Sequence, residues 1–430
     1  MELTIAISAV TCLVMVLAVL FFPKLRLGKF AVSSYWVVTL LGAAVLLLTG
    51  RVNFSTVTAA LLADTAINPV KILVLFISMT ILSIFLDELG FFRYLANVTL
   101  KRAGESQLKL FMLLYITVSV LTVFTSNDII ILSFTPFICY FAKNAKISPM
   151  PYLAAEFVAA NTWSMALIIG NPTNVYLVTA AGGDFVSYLK VMLLPTLASG
   201  SIAFGFLFLL FRKKLSDPIC AEPEEVQLTD KFSLWVGIAH LAVCTVLLAI
   251  GSYIGIEMWL VSALAAVSLF VWTIGASIFR RKRPDALLSC LKRAPWELIP
   301  FILSMFVMVE ALNANGITDA LFHLMGESLP IWKYGATSFL AANLINNIPM
   351  SVLYSSILSG ANSEAAVYAT VVGSNLGACL TPIGALAGIM WSSILKEHGL
   401  KFGYLDFLKI GVTVAIPALI AALAVLQLFY

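Results

Sequence analysis

The sequence predicts an all-α polytopic membrane protein, built as an inverted repeat of five plus five transmembrane helices with two opposed re-entrant hairpins and broken helices. Three observations predict it. Apolar segments of membrane-spanning length recur from end to end, Lys and Arg gather in alternate connections, and four polar breaks interrupt apolar stretches at positions that match between the two halves.

Composition sets the class. The chain has 430 residues, of which 61% are hydrophobic and 11% charged, against roughly 45–50% apolar and about 25% charged for soluble domains. A net charge of +4 is compatible with a nucleic-acid partner, but the basic residues sit in short clusters between apolar segments, where they orient a membrane protein. No nucleic-acid partner is expected; the lipid bilayer is. Met1 to Phe22 carries Glu2 and a full membrane width of apolar residues without a small-residue cleavage motif, so it reads as a first span and not a signal peptide.

A bilayer crossing takes about 20 apolar residues. Spans are drawn at residues 3–22, 31–49, 72–90, 150–180, 190–211, 232–250, 258–279, 297–314, 366–394 and 410–429. Two regions resist, 108–142 and 331–360, each apolar but broken in the middle, by Thr125-Ser126-Asn127-Asp128 and by Asn346-Asn347-Ile348-Pro349. Each fits two spans or one hairpin.

Charge placement decides, because Lys and Arg accumulate in cytoplasmic loops. Lys24, Arg26 and Lys29; Arg93, Lys101 and Arg102; Lys143 and Lys146; Arg212 to Lys214; Arg280 to Arg283; and Lys396, Lys401 and Lys409 all belong inside. Region 108–142 then has basic flanks on both sides and enters from and returns to the cytoplasm, while 331–360 is a hairpin of opposite orientation, followed by Gly360 to Glu364 without Lys or Arg. Their arms read as too short for complete double crossings. The chain divides into a first repeat at 1–211, a cytoplasmic linker at 212–231 and a second repeat at 232–430, multi-pass in the inner (plasma) membrane with both termini outside.

Halves with odd numbers of spans must be inverted. Ile77-Ser78-Met79 before Gly90-Phe91-Phe92 resembles Leu303-Ser304-Met305 before Gly316-Ile317-Thr318 at equal spacing; Asn127 then falls in register with Asn347, Asn161 with Asn375, and Gly170 with Gly384. Inverted repeats with broken helices near the midplane are the signature of secondary transporters.

Non-helical backbone at membrane depth is tolerated only where protein buries it or water reaches it. The breaks are Ser126-Asn127-Asp128, Gly170-Asn171-Pro172-Thr173-Asn174, Asn346-Asn347-Ile348-Pro349 and Thr381-Pro382-Ile383-Gly384. Pro frees a carbonyl, Gly admits close approach, and Asn and Thr supply neutral polar groups. A lone Asn or Pro in a membrane helix is more often a packing or kink residue; four matched breaks favour a site. Its expected members are Ser126, Asn127, Asp128, Thr135, Asn161, Gly170, Asn171, Thr173, Asn174, Asn346, Asn347, Asn375, Thr381 and Gly384.

Asp128 is the sharpest of these, since an ionisable group at membrane depth is costly and functional by default. Its repeat mate is Ile348, so symmetry does not demand it. Glu156 and Glu310 rank next, and Asp87 and Glu88 read as interfacial. The six cysteines show no C-x-x-C spacing, and the three histidines, His240, His323 and His398, are scattered, so no metal site or disulfide is expected. No Walker motif is present, so the chain itself does not hydrolyse ATP.

Leu86-Asp87-Glu88-Leu89-Gly90-Phe91-Phe92, Ser126-Asn127-Asp128 ahead of Thr135-Pro136, Asn346-Asn347-Ile348-Pro349, and Gly373-Ser374-Asn375-Leu376-Gly377 ahead of Thr381-Pro382-Ile383-Gly384 resemble the ArsB arsenite-efflux branch of the ion-transporter superfamily, which also holds NhaD-type sodium/proton antiporters and divalent-anion/sodium symporters. The resemblance runs essentially end to end. It implies an elevator-type carrier, usually a homodimer, whose hairpins and broken helices move against a scaffold, and which exports arsenite or antimonite in exchange for protons; a cytoplasmic ATPase partner is compatible with it. Gly170-Asn171-Pro172-Thr173-Asn174 departs from that branch and looks more like the loops of the anion and sodium branches.

The leading expectation is therefore proton-coupled efflux of arsenite, with no cofactor beyond proton or sodium as coupling ion. The alternative is a sodium-coupled carrier of inorganic or carboxylate anions, or a sodium/proton antiporter. No Lys or Arg falls at a break, which weighs against binding an anion by side-chain charge, although helix N-termini can replace it. A channel does not need paired hairpins of opposite orientation, and an enzyme has no nucleophile or metal set here.

Overall fold

The computed structural model describes residues 1–430 except 28–29, 65–67, 217, 220–227, 229 and 359–362. The first part of the chain forms α1 (Glu2–Phe21), the antiparallel strands β1 (Lys24–Leu27) and β2 (Phe30–Ser33), then α2 (Ser34–Leu48), α3 (Phe54–Leu62), α4 (Pro69–Glu88), α5 (Phe91–Ala103), α6 (Gln107–Phe124), α7 (Asn127–Asn144), α8 (Met150–Trp163), α9 (Pro172–Ala180) and α10 (Phe185–Phe211). The second part forms α11 (Lys231–Ile254), α12 (Met258–Phe279), α13 (Asp285–Arg293), α14 (Leu298–Ala314), α15 (Ile317–Met325), α16 (Pro330–Ile345), α17 (Asn347–Leu358), α18 (Glu364–Gly377), α19 (Leu386–Glu397), α20 (Tyr404–Ile410) and α21 (Ile416–Leu426). Lys29, Cys220, half of the linker region 212–231 and the end of the region expected to form the second hairpin lie outside the described residues.

Among the described residues, 8 helical segments are long and apolar enough to cross a membrane, and the protein is a multi-pass membrane protein. Seven correspond to spans drawn from sequence; the eighth is α6, whose 18 residues make about 27 Å at 1.5 Å per residue. The expectation that both arms of region 108–142 are too short to cross thus does not hold for α6 on length. The segment drawn at 31–49 is a shorter apolar helix, α2. Those drawn at 150–180 and 366–394 are each two helices, α8 and α9, and α18 and α19, because the polar breaks within them stop the backbone ladder.

The enclosed centre is made by α8 and α18. Every residue from Pro151 to Thr162 and from Ala365 to Gly377 is buried, as expected of helices apolar on all faces. Around them α1, α10, α11 and α12 turn apolar side chains such as Leu17, Leu209, Val246 and Val271 outward. The π-helical turn Gly411–Ala415 between α20 and α21 lies directly against the second break, where Gly411 approaches the backbone of Leu380.

Short amphipathic elements that the span reading does not include, α5, α13 and α15, connect the long helices. Arg293 at the end of α13 bridges Asp87 at 2.6 Å and Glu88 at 2.5 Å, fixing both acids at the end of α4 where the sequence placed them. Asp87 also accepts a hydrogen bond from Ser133 of α7 at 2.6 Å.

Candidate functional site

Each break has a local cause. Ser126 is extended (φ −84°, ψ 142°) and Asn127 opens α7. Asn171 is extended (φ −151°, ψ 139°), its Oδ1 accepts the Thr173 backbone N–H at 3.2 Å, and Pro172 opens α9, the one helical position where a missing N–H costs nothing. At the second tip Asn346 has φ 74°, a conformation costly for any residue but glycine. Its amide N–H donates to Ile383 O at 3.0 Å, and the next backbone N–H, of Asn347, donates to Gly384 O at 3.0 Å. Contacts to the Thr381–Gly384 break therefore hold the strained tip in place.

The two breaks in α8/α9 and α18/α19 are closed by glycine. A Cβ on Gly170 would lie 2.3 Å from Ser164 O, and one on Gly384 would lie 2.7 Å from Gly377 O. Both are backbone collisions, so neither position admits a side chain without moving the chain.

Asparagine side chains join these pieces. Asn127 Nδ2 donates to Asn161 Oδ1 at 3.2 Å, and Asn161 Nδ2 donates to Phe157 O at 2.8 Å. Asn375 Oδ1 accepts from Ser164 Oγ at 2.8 Å and from Asn171 Nδ2 at 2.9 Å; Asn375 Nδ2 donates to Asn174 Oδ1 at 2.7 Å and to Val371 O at 2.8 Å. Asn174 Nδ2 returns to Ser164 O at 2.8 Å and Leu167 O at 3.1 Å. Thr381 Oγ1 donates to Asn343 Oδ1 at 2.6 Å, and Asn343 Nδ2 donates to Gly377 O at 2.9 Å. All of these amides except Asn343 are fully enclosed, and no Lys, Arg or His hydrogen-bonds to them among the described residues.

Three hydroxyls in the same region, Ser126 Oγ, Thr173 Oγ1 and Ser374 Oγ, are buried without a hydrogen-bond partner among the described residues. Buried polar groups are ordinarily paired, so these are donors and acceptors available to a bound species. The N-termini of α7, α9 and α17 carry partial positive charge at the same breaks.

Twelve of the expected positions lie in or beside this assembly: Ser126, Asn127, Asn161, Gly170, Asn171, Thr173, Asn174, Asn346, Asn347, Asn375, Thr381 and Gly384. Thr135 does not. Eight residues beyond Asn127 on α7, it donates instead to Glu156 Oε1 at 2.8 Å. Asp128 does not reach Asn161, Asn171 or Thr173 as expected. Asn127 makes the Asn161 contact, and the next residue on a helix points about 100° away. The Asp128 side chain is partly exposed and within electrostatic reach of Tyr35 on α2. Tyr35, Phe301, Asn346 and Ile383 share a small crevice between α2, α14 and the second tip. Sequence reading missed Ser164, three residues after Asn161, and Asn343, three residues before Asn346.

Residues 16–373 match the CitMHS family, described as Citrate transporter. The arsenical pump membrane protein of Escherichia coli (strain K12) is 28% identical over 375 residues, covering 82% of this chain and 85% of that protein. The 46 kDa membrane protein of Mycobacterium leprae (strain TN) is 26% identical over 382 residues, covering 84% and 86%. Among solved structures the Alcanivorax borkumensis YdaH transporter superposes with TM-score 0.59 and 13% identity over 99% of this chain and 98% of that one, a likeness of fold. With most of its length matched, its helices apolar enough to cross a bilayer and its polar breaks enclosed, the chain belongs to the CitMHS family of membrane transporters.

Proposed function

We propose that the protein is a secondary active transporter of elevator type that exports arsenite or antimonite in exchange for protons. The observation that carries this reading is the Asn375 junction, where the Gly170–Asn174 break of the first half meets α18 of the second through neutral amides and hydroxyls alone. As(OH)3 is uncharged at neutral pH and offers three hydroxyls, so it calls for paired donors and acceptors, not a cationic clamp. The relatives named as arsenical pump membrane proteins support the substrate.

Exchanged helix pairings support an inverted repeat of 1–211 and 232–430 about the linker 212–231. Helix α2 packs on α14 as α12 packs on α4, and α7 on α19 as α17 on α9, while within each half α6 packs on α8 as α16 on α18. The helix entries follow the same exchange. Glu297 before α14 accepts the Ser33 backbone N–H at 3.0 Å and the Ser33 hydroxyl at 2.6 Å at the start of α2, and Lys71 at the start of α4 pairs with Glu257 at 2.6 Å at the start of α12. In this reading α6/α7 and α16/α17 are opposed re-entrant hairpins that move with α8, α9, α18 and α19, Asp128 exchanges the coupling proton, and the carrier is a homodimer of the inner membrane with both termini outside. A cytoplasmic ATPase partner is compatible with it.

The test is uptake of arsenite into proteoliposomes under an imposed pH gradient, against sodium-gradient controls with citrate and dicarboxylates. Arsenite uptake driven by the proton gradient is the expected outcome. Citrate uptake driven by sodium would favour the second reading, a sodium-coupled anion carrier, which the family description and the three helix N-termini at the breaks support.

A further inference from the structure

Glu156 is the one acidic or basic side chain that the fold buries completely among the described residues. It sits in the middle of α8, five residues from Asn161, about 7.5 Å along the axis. Thr135 Oγ1 of α7 donates to its Oε1 at 2.8 Å, and Trp391 Nε1 of α19 donates to its Oε2 at 3.2 Å. The carboxyl therefore ties three elements together, drawn from both halves of the chain. No ion pair reaches it among the described residues; the remaining titratable neighbour on α7 is the buried Cys139 thiol, and α6, α10 and α18 present no charged group within ion-pair distance. Its repeat mate, by the Asn161 to Asn375 register, is Thr370, which bonds only its own helix at Ala366 O. Packing shared by the repeat thus does not call for a carboxyl here.

The donors make this junction sensitive to charge. A carboxylate accepts both hydrogen bonds, whereas a carboxylic acid must donate from one oxygen. Indole N–H is a donor only, so a proton on Oε2 would leave Trp391 the poorer acceptor, a hydroxyl oxygen, and weaken that contact. A hydroxyl donates or accepts, so a proton on Oε1 is accommodated when Thr135 Oγ1 accepts it and turns its own hydrogen to the carbonyl one helical turn back.

We propose that Glu156 is a second proton-exchange group, separate from Asp128, that takes a proton from bulk water onto Oε1 and returns it when this closed junction opens during the transport cycle, switching Thr135 of α7 from donor to acceptor while Trp391 holds Oε2. This rests on the proton-coupled reading above and adds a proton-bearing position behind the hairpin tip.

The test begins without substrate. Infrared pH titration of the full chain in lipid follows the carboxyl C=O stretch of buried acids in wild type, Glu156→Gln and Asp128→Asn. Loss of one component in Glu156→Gln and of a different one in Asp128→Asn is expected; a Glu156→Gln titration identical to wild type overturns the proposal. If Glu156→Gln does not accumulate, Trp391→Phe takes its place. It frees Oε2 and is expected to shift the Glu156 band without removing it, and an unshifted band overturns the proposal. Protons moved per arsenite are then counted in proteoliposomes, where Glu156→Gln is expected to lower the ratio and an unchanged ratio overturns the role in transport. If wild type moves no arsenite while the infrared component is lost in Glu156→Gln, the arsenite reading fails and the exchange site stands.

Discussion

Asn171 and Asn375 meet across the two halves of the chain, with Asn171 Nδ2 donating to Asn375 Oδ1 at 2.9 Å. The same oxygen takes Ser164 Oγ, and the Asn375 amide donates to Asn174, so one side chain closes α8, α9 and α18 upon one another. Asn375→Ala leaves an Asn171 N–H and the Asn174 oxygen without this partner, while the Ser164 hydroxyl keeps Asn161 O at 2.9 Å. Each buried group left unpaired costs about 1–3 kcal/mol. The expected outcome is a lowered melting temperature in detergent and loss of flux; wild-type stability in Asn375→Ala would show that the amides re-pair without it.

Two glycines test whether the break must be tight. Gly170→Ala puts a methyl 2.3 Å from Ser164 O, whereas a Cβ on Gly205 in α10 meets nothing within 4 Å. Gly170→Ala is expected to destabilise by several kcal/mol, in the range of severe core overpacking, while Gly205→Ala is neutral or stabilising by up to about 1 kcal/mol from helix propensity. Parallel thermal unfolding of the two variants checks the contrast.

The fold was legible where chemistry interrupts a pattern. Asn127, Asn171-Pro172 and Asn346-Asn347 each stop an apolar run with residues that cannot continue it cheaply, so the interruptions between α6 and α7, α8 and α9, α16 and α17, and α18 and α19 were readable within a few residues. Thr135 stands apart from the asparagine junction because helix geometry carries it two turns from Asn127, against Glu156. Ser164 and Asn343 each lie three residues from a singled-out asparagine, Asn161 and Asn346, yet a polar residue outside the break itself is indistinguishable from a packing residue until its partner is known. That partner lies far off in sequence: Ser164 bonds Asn375, and Asn343 bonds Thr381. The elements α5, α13 and α15 escaped because they are shorter than a span and partly polar.

A third expectation concerns pH at the start of α11. Partial burial alone would raise the Asp230 carboxyl, but hydrogen bonds from Ser233 and the charge of Arg280 at 2.5 Å outweigh it and hold it below the usual carboxylate range. A depressed folded value means the contribution to stability is complete above the unfolded value, about 3.9, and is lost as pH falls through the folded value. Asp230→Asn is therefore expected to lower the melting temperature near neutral pH and to remove part of the acid-induced decline below about pH 4. Melting curves of both proteins across the acid range check this; parallel curves would mean that Asp230 contributes nothing through its charge.

Asp128→Asn is the decisive substitution for the coupling reading. Asn127 already makes the structural contact with Asn161, and the Asp128 backbone N–H is held by Asn127 Oδ1 at 2.9 Å, so the tip does not depend on the Asp128 side chain for its shape. Asn keeps the volume and the hydrogen-bonding capacity while removing the charge. The side chain is partly exposed at the start of α7, within electrostatic reach of Tyr35 of α2, and under the proposed elevator mechanism its surroundings change as α7 moves against α2. Fold, expression and melting temperature are expected to stay within about 1 kcal/mol of wild type, as for a substitution that creates no cavity and removes no structural hydrogen bond. Flux driven by the pH gradient is expected to fall on the order of tenfold or more, equivalent to at least about 1.4 kcal/mol on the coupled step, while exchange at equal pH on both sides persists. Gradient-driven arsenite flux and equilibrium exchange, measured on the same proteoliposomes, separate the two. Full gradient-driven transport by Asp128→Asn at normal protein levels would falsify its role as the coupling group and leave Glu156, joined to Thr135 and Trp391 in the closed core, as the group to which the coupling proton goes.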